Sequence, residues 1–267
     1  MTNPANEKMQ LIDLDGRPLR EVDPAEVTSK YATLFRNASL DLDDFRDFAK
    51  AFGYPLMYGD DMLMTFDKVH QENELHYDGI SSREARKIPG WLLFYVEECP
   101  DPRSFGGEFL LMDCVGAMEA LPAELVDFLR GHKEEFYGYP MYDRRDIGPR
   151  EFAFAIDPIT SHAGKDRLRV HLPTEQSATL TEDGELVYSK AHNFSLKFNG
   201  ASAAETLRVF DELRTCLMKP ELVWEIPLQA RDVLVVNNEY VFHGRNPVTR
   251  PMSRLMHRAQ MLPRPLD

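Results

Sequence analysis

HGRNPVTRPMSRLMHRAQML, residues 243–262, is the segment that most strongly indicates the fold. From Arg254 onward it reads as a strand, in which successive side chains point to opposite faces. One predicted face carries Arg254, Met256, Arg258 and Gln260, and the other carries Leu255, His257, Ala259 and Met261. Two arginines on one face are costly unless each meets an anion or reaches water. Because a guanidinium binds a carboxylate through two parallel hydrogen bonds, the strand predicts two sites for carboxylates.

A metal site is indicated by His76-Tyr77-Asp78 together with the distant His243. In an extended strand His76 and Asp78 share a face, while Tyr77 points to the other and is predicted to pack. Two imidazoles and one carboxylate on one side of a metal leave its remaining positions open, as suits non-haem Fe(II) and oxygen chemistry. His-X-Asp alone is weak evidence, so the prediction depends on the residues that follow His243.

These motifs together resemble the TauD/TfdA family of Fe(II)/2-oxoglutarate-dependent dioxygenases. The resemblance runs from about residue 25 to the C-terminus, and it is carried by LFRNASLDLDDFRDFAKAFG (34–53), LHYDGI (75–80), FGGEFLLMD (105–113) and RDVLVVNNEYVFHGR (231–245). The joint pattern is specific, whereas each piece alone is not.

The resemblance implies a role for each candidate residue. His76, Asp78 and His243 are the Fe(II) ligands. Arg254, eleven residues after His243, binds the far carboxylate of the cosubstrate 2-oxoglutarate, and Arg258, fifteen residues after it, binds an anionic group of the substrate. With O2 the implied outcome is hydroxylation, desaturation or oxidative decarboxylation. Asp78 argues against halogenation, because halogenases of this chemistry replace that carboxylate with a small residue.

Within the family the chain is similar to the PvcB-like isonitrile-processing oxygenases of secondary metabolism, through LHYDGI, LRTCLMKP (213–220) and VFHGR (241–245). This implies a small substrate that carries a carboxylate or derives from an amino acid. Two positions depart from the family pattern. Phe109 follows Gly106-Gly107-Glu108 where a threonine commonly helps to hold 2-oxoglutarate, so that hydroxyl contact is lost or supplied by another group. Asn237-Asn238 stands where the family has Asp-Asn.

The predicted fold is mainly β with flanking helices, a double-stranded β-helix of the jelly-roll, cupin-like type. Residues 1–22 are expected to form a polar, loosely attached N-terminal segment, and residues 23–267 a single domain. Residues 54–72 have no clean period and are expected to form a loop over the metal. The patterns predict helices after Asp23, over 42–52, over 122–130 and after Ser202, strands over 91–96, 167–172, 195–198, 233–236, 240–242 and 254–261, and a hairpin at Asp183-Gly184.

Composition is typical of a globular enzyme that acts on a small molecule. The 43% of hydrophobic residues excludes a disordered chain, and the net charge of -13 argues against nucleic acid or an anionic membrane as partner. Cys99, Cys114 and Cys216 are far apart and are expected to be reduced thiols. With no signal peptide and no apolar run long enough for a membrane span, we expect a cytoplasmic protein. A homo-oligomer is left open.

Two other classes of function stay open at this point. A zinc-dependent hydrolase could use His76, Asp78 and His243 with an activated water, but it would give the two arginines no shared function. A non-catalytic jelly-roll binding protein is the second alternative. The complete ligand set argues against it, because functional decay usually removes a ligand first.

Overall fold

The computed structural model describes residues 8–69, 73–79, 87–100, 106–138, 152–173, 178–180, 186–188, 194–248 and 252–266. The chain forms two compact units. The first comprises Met1–Asn73, Glu84–Asp113 and Trp224–Asp267, and the second comprises Glu74–Arg83 and Cys114–Val223. The prediction of one domain over 23–267 remains a prediction.

Strands predominate over helices in the described residues, as expected for a mainly β fold. The strands are β1 (Met9–Asp13), β2 (Ala32–Arg36), β3 (Tyr54–Pro55), β4 (Leu63–Val69), β5 (Asn73–His76), β6 (Trp91–Glu98), β7 (Phe109–Asp113), β8 (Glu134–Gly138), β9 (Phe152–Ile156), β10 (Ile159–His162), β11 (Lys165–Leu168), β12 (Ala178–Leu180), β13 (Leu186–Tyr188), β14 (Phe194–Phe198), β15 (Val223–Ile226), β16 (Val233–Asn237), β17 (Val241–Arg245) and β18 (Met252–Leu262). The α-helices are α1 (Pro24–Thr28), α2 (Leu42–Lys50), α3 (Cys114–Glu119), α4 (Ala123–Gly131) and α5 (Ala203–Leu217), and a short 3-10 helix spans Leu19–Glu21.

A seven-stranded sheet organises the first unit. Its strand order is β1-β2-β16-β6-β18-β3, and β4 also pairs with β18. Strand β6 is antiparallel to β16 on one edge and to β18 on the other. Both faces of β6 are buried between Leu92 and Val96. The uninterrupted apolar run of this strand therefore reflects its central position, since neither face meets solvent.

Two hydrophobic clusters cover the two faces of this sheet. On one face, Phe45 and Phe48 of α2 pack in a cluster with Leu93, Val233 and Ala259 of the sheet. The other face meets residues of the smaller sheet, whose strand order is β15-β7-β17-β5. This second cluster includes Leu92, Phe94, Leu234, Val236 and Met256 from the large sheet and Phe109, Leu111, Ile226 and Val241 from the smaller one.

The three helix starts at Asp23, Asp41 and Ser202 agree with the predicted helices, whereas the helix Cys114–Glu119 and the 3-10 helix Leu19–Glu21 were not predicted. Asp23 caps α1 by accepting the backbone N–H of Ala25, with Pro24 in the first turn. Asp41 and Asp44 form a capping box at the start of α2, and its predicted core residues Phe45, Phe48 and Phe52 are buried. Ser202 accepts the N–H of Glu205 at the start of α5. These ends are predictable because each cap is a contact between near neighbours in sequence.

The second unit contains a three-stranded sheet of order β14-β8-β9 and the hairpins β10-β11 and β12-β13. Helix α4 (Ala123–Gly131) corresponds to the helix predicted over 122–130, with Pro122 as its N-cap residue. The predicted strand over 195–198 is β14, whereas 167–172 is regular only to Leu168. Strands β12 and β13 form the predicted hairpin pair, and its expected turn at Asp183-Gly184 lies outside the described residues.

Two expectations about irregular segments are wrong. Residues 9–13 are a strand parallel to β2, and Leu14 and Leu19 are buried, so residues 9–22 are not loosely attached. Residues 63–69, expected within a loop over the metal, are strand β4 and pair with β18. Both pairings join segments distant in sequence, which is why local patterns do not reveal them.

Glu134, the first residue of β8, is a fully buried carboxyl group in the second unit. Its Oε2 accepts the backbone N–H of His171 at 3.0 Å, while its Oε1 has no hydrogen-bond partner among the described residues. Burial raises the pKa of Glu134 well above its usual value, and the His171 N–H opposes this only in part. The folded protein therefore retains a proton on Glu134 at pH values where the unfolded chain has lost it.

Replacing this carboxyl group should change the pH dependence of stability. The stabilising effect of the bound proton is fully present below the unfolded pKa and is lost as pH rises toward the folded value. We expect the free energy of unfolding of Glu134→Gln, relative to that of wild type, to increase on going from about pH 5 to about pH 8. Urea unfolding at the two pH values measures this difference. Glu124→Gln, on the exposed side of α4, should keep the wild-type dependence. If the free energy of unfolding changed with pH equally in wild type and in Glu134→Gln, the raised pKa of Glu134 would be contradicted.

Candidate active site

The three predicted metal ligands come together. His76 ends β5, Asp78 follows it by two residues, and His243 lies in the middle of β17. One ligand atom from each of the three lies within 4.8 Å of the others, and Nε2 of His76 is 3.6 Å from Oδ1 of Asp78. Asp78 and His243 are buried, and His76 is half-buried. His76 and Asp78 thus lie on one side, as predicted, but Asp78 belongs to the turn after β5, so the strand alternation from which this was predicted ends at His76.

The donor set suits Fe(II). Two imidazole nitrogens and one carboxylate oxygen leave coordination positions for a cosubstrate and O2. Within the part of the chain that the structure describes, this is the one group of three His, Cys, Asp or Glu side chains that is close enough to hold a metal ion. The three cysteines are free and belong to no such group, so the candidate ligands are nitrogen and oxygen donors only.

Phe109, the departure from the family threonine, stacks on a metal ligand. Its ring lies 5.9 Å from the His243 ring with only 6° between the planes. The Phe94 ring contacts His243 at a similar distance, tilted by 57°. These two rings restrict the rotation of the imidazole, so Phe109 contributes orientation of the ligand where a threonine would contribute a hydroxyl group.

Gly106, in the double glycine, and Asn237-Asn238, the second departure from the family pattern, each have a local role in the backbone. Gly106 has φ +71°, and a Cβ there would lie 2.6 Å from the carbonyl oxygen of Pro247. The close approach of these two backbone segments therefore requires glycine at position 106. The Asn237-Asn238 pair stabilises a turn, because Asn237 accepts the N–H of Glu239 and the buried Asn238 amide donates to the carbonyl of Pro89 at 2.7 Å.

Around His76 the second unit supplies neighbours that sequence reasoning missed. The His171 ring lies 5.9 Å from the His76 ring, and an isolated bridge between Leu75 and Leu172 sets this register. Tyr77 is buried, and the Arg169 guanidinium lies 3.6 Å from its ring centre. Burial raises the pKa of Tyr77 to about 12, against the opposing charge of Arg169. Tyr77 is thus a packing residue as predicted, but no local pattern connects Arg169 or His171 to the metal.

Arg254 is an almost completely buried cation, 2% exposed. Among the described residues no carboxylate pairs with it, and its Nε has no hydrogen-bond partner. Burial lowers its pKa, with Cys99 opposing the shift. Arg245, which the sequence analysis missed, is a neighbouring cation whose pKa is lowered to about 10 by burial and then by Arg254. Its position two residues after His243, and thus on the same face of β17, is the signal that could have found it.

Arg258 is half-buried and lies beside apolar side chains of β4. Its Nη2 is 3.3 Å from the Met64 sulfur, and its guanidinium is 5.3 Å from the centre of the Phe66 ring. The pairing of β18 with β6 shifts register between Leu255 and Met256. From Met256 to Met261 the predicted alternation holds, since Met256 and Met261 lie in opposite hydrophobic clusters.

Residues 25–260 match the taurine catabolism dioxygenase TauD, TfdA family, which is most of the chain. The chain belongs to the TauD/TfdA family. The protein is therefore a non-haem Fe(II)/2-oxoglutarate-dependent dioxygenase with a His76, Asp78, His243 triad. The family has the jelly-roll fold, which confirms the predicted fold class.

Solved structures of this TauD/TfdA fold are similar along nearly the whole chain. PvcB from Pseudomonas aeruginosa aligns with a TM-score of 0.71 at 15% identity, covering 95% of this chain and 86% of that one. A further structure of PvcB, described as an Fe, alpha-ketoglutarate dependent oxygenase from an isonitrile synthetic pathway, gives 0.70 at 16% identity with the same coverage. A taurine dioxygenase from Burkholderia xenovorans gives 0.62 at 16% identity, covering 90% and 81%. At these identities the likeness establishes the fold alone. A search of curated proteins finds no match.

The TauD/TfdA family implies a small-molecule substrate. In the described part of the chain, no helix combines the length and the apolar character that crossing a membrane requires.

The stacking of Phe109 on His243 predicts an effect on metal affinity. Neighbours that orient a ligand typically change metal affinity by about 10–100-fold when they are removed. We expect Phe109→Ala to weaken Fe(II) binding by about tenfold in an anaerobic titration. Phe154→Ala, which removes a buried ring of the second unit, is the matched control and should leave affinity near wild type if the protein stays folded. Equal losses in both variants would mean that Phe109 acts only through stability.

Proposed function

We propose that this TauD/TfdA dioxygenase anchors 2-oxoglutarate through Arg254 and oxidises a small molecule that carries a carboxylate or derives from an amino acid, with Arg258 binding its anionic group. The reaction is a hydroxylation, a desaturation or an oxidative decarboxylation, in secondary metabolism. The observation that carries the proposal is the buried Arg254 guanidinium, for which no partner is found among the described residues.

The electrostatics of Arg254 favour an anionic ligand. A buried charge without a partner costs several kcal/mol, and an anion that brings matching geometry offsets this cost. A carboxylate provides two oxygens for the guanidinium fork. Because Arg254 is 2% exposed, water competes poorly for it. A dicarboxylate that uses one end at the iron and the other at Arg254 satisfies both requirements.

Arg258 supports the substrate assignment. It lies on the same strand as Arg254 but is less buried, so a larger and more variable ligand can approach it. The Met64 sulfur and the Phe66 ring beside it form an apolar surface next to the charge. This combination favours a molecule with one anionic group and an apolar or aromatic body, such as an amino-acid derivative.

The chain's own residues then have separate tasks. His76, Asp78 and His243 would hold the iron, and the Phe109 ring keeps the His243 imidazole oriented. Arg254 fixes the position of the cosubstrate, and Arg258 that of the substrate. When bound, the Fe(II)/2-oxoglutarate pair supplies oxidising power from O2, with 2-oxoglutarate converted to succinate and CO2. Positioning by the protein determines which bond of the substrate is oxidised.

The likeness to PvcB supports the proposed substrate class through the pathway to which PvcB belongs. That protein belongs to an isonitrile synthetic pathway, and the shared fold together with the LHYDGI and VFHGR segments motivates an amino-acid-derived substrate here. Family membership excludes the two alternatives, the zinc-dependent hydrolase and the non-catalytic binding protein.

The cosubstrate is tested by anaerobic titration of the Fe(II)-loaded protein with 2-oxoglutarate. We expect the weak visible metal-to-ligand charge-transfer band to appear on titration and to be absent in His243→Ala, because that variant lacks one of the three ligands. His257→Ala, at a buried histidine outside the triad, is the control for loss of an imidazole. A folded, iron-binding protein that gives no band would overturn the proposal.

Substitutions of the two arginines should affect the binding of different ligands. We expect Arg254→Met to weaken 2-oxoglutarate binding by about 100-fold, since a charge-assisted, desolvated carboxylate contact is lost, and to leave Fe(II) binding intact. Arg258→Ala should leave 2-oxoglutarate binding within about threefold of wild type.

Substrate binding distinguishes these variants further. Acidic small molecules that stimulate succinate release in wild type should lose affinity in Arg258→Ala by at least about tenfold. An unchanged substrate affinity in Arg258→Ala, alongside lost 2-oxoglutarate binding in Arg254→Met, would remove Arg258 from the proposal and retain Arg254.

A further inference from the structure

Residues 169–173 are buried although they belong to no helix and to no named strand. Val170 is 0% exposed, and even the polar Arg169 and His171 are only 4% and 8% exposed. A buried segment of irregular backbone is stable only when its N–H and C=O groups find partners elsewhere in the protein. The partners of this segment therefore show what holds it and what it holds in turn.

Two of its backbone groups are held by ionisable side chains from distant elements. Oε2 of Glu134, at the start of β8, accepts the N–H of His171 at 3.0 Å. Nη1 of Arg214, in α5, donates to the carbonyl of Pro173 at 2.7 Å, and the same guanidinium also bonds Asp211. Glu134 is fully buried, and the Arg214 side chain is only 12% exposed. Groups of this kind are costly to bury, so their contacts with one segment indicate that its position matters.

On its other side the segment lies against the part of the chain that carries two iron ligands. The N–H of Leu172 donates to the carbonyl of the residue before His76 at 3.0 Å. The His171 ring lies 5.9 Å from the His76 ring, and the Arg169 guanidinium lies over the ring of Tyr77. The segment thus contacts three consecutive residues, one of which is an iron ligand.

His76 depends on such contacts because of where it lies in the fold. It is the last residue of β5, which forms an edge of the smaller sheet. His243 lies in the middle of β17, between two neighbouring strands, and the rings of Phe94 and Phe109 pack on it. The end of an edge strand has fewer hydrogen bonds to fix it and opens more readily than a central strand. Contacts from outside the sheet therefore have to fix the His76 imidazole.

We propose that Glu134 and Arg214 are positioning residues for the iron ligand His76 and act through residues 169–173. Each holds one backbone group of the segment, and the segment in turn fixes the end of β5 and the ring that packs against the ligand. A ligand that is already held in its binding geometry loses less freedom when the metal binds. This role is independent of the cosubstrate and substrate roles proposed for the two arginines of β18, because it concerns the iron triad alone.

The same contact gives a function to the LRTCLMKP segment (213–220). Arg214 is its second residue, and the segment is one of three that resemble the PvcB-like oxygenases. Leu213 and Leu217 of this segment are buried on the inner face of α5. Arg214 is the residue that connects α5 to the chain beside the iron ligand.

Anaerobic titration of the metal-free protein with Fe(II) tests this role without 2-oxoglutarate. Glu134→Met keeps the side-chain length but removes the acceptor of the His171 N–H, and we expect it to weaken Fe(II) binding by about tenfold. Arg214→Met should weaken Fe(II) binding by about threefold or more, because one hydrogen bond to the segment is lost. Glu134→Gln retains an acceptor oxygen and should bind Fe(II) as wild type does.

Hydrogen exchange of the metal-free variants measures the segment directly. The amides of residues 169–173 should exchange faster in Glu134→Met and in Arg214→Met than in wild type, because the segment opens more often when one of its contacts is removed. In Glu134→Gln they should exchange at the wild-type rate.

Two matched variants separate positioning from stability. Thr206→Val removes another buried acceptor of the second unit, which bonds the N–H of Phe198 at 3.2 Å, and Arg208→Met removes an exposed ion pair of α5. Both should bind Fe(II) as wild type does, and melting temperatures show that each compared variant is folded. If Glu134→Met does not fold, Arg214→Met against Arg208→Met carries the test. Wild-type Fe(II) affinity in folded Glu134→Met and Arg214→Met, an equal loss in Thr206→Val, or a loss shared by Glu134→Gln would each overturn the proposal.

Discussion

Strand β6 is hydrogen-bonded on both edges and buried on both faces, and the rest of the first unit depends on this constraint. Neither face of β6 between Leu92 and Val96 meets solvent, so the parts of neighbouring strands that lie beside it are also shielded from water. β18, paired along it, nevertheless carries Arg254 and Arg258. The cost of bringing a guanidinium into such surroundings is high unless an anion binds. The carboxylate ligands proposed for these two arginines would offset this cost.

The iron site depends on the same apolar surroundings. Phe94 belongs to β6, and together with Phe109 it holds the His243 ring. The residues that build the core thus also orient a metal ligand. Low polarity near the site would strengthen the proposed interaction of Arg254 with a carboxylate, since fewer water dipoles would screen it. Packing and chemistry are consequently not separable in this part of the molecule.

Elements defined by local contacts were predictable, and elements defined by distant pairing were not. The aromatic spacing of Phe45, Phe48 and Phe52 identified α2, and the apolar run after Trp91 identified β6. The segment over 63–69 shows no clean alternation, and its strand forms because β18 supplies a hydrogen-bonding edge. Residues 9–13 are a strand for the same reason, through β2. Backbone pairing with a remote partner leaves no periodic mark on such short segments.

The ligands His76, Asp78 and His243 and the two arginines after them could be identified from the chain, because the His-X-Asp motif and the spacing from His243 are local properties of the sequence. Which side chains surround them is set by the tertiary structure. Phe109 against His243, His171 beside His76 and Arg245 beside Arg254 all depend on contacts between elements far apart in sequence. Those contacts follow from strand register and core packing, which no local pattern encodes.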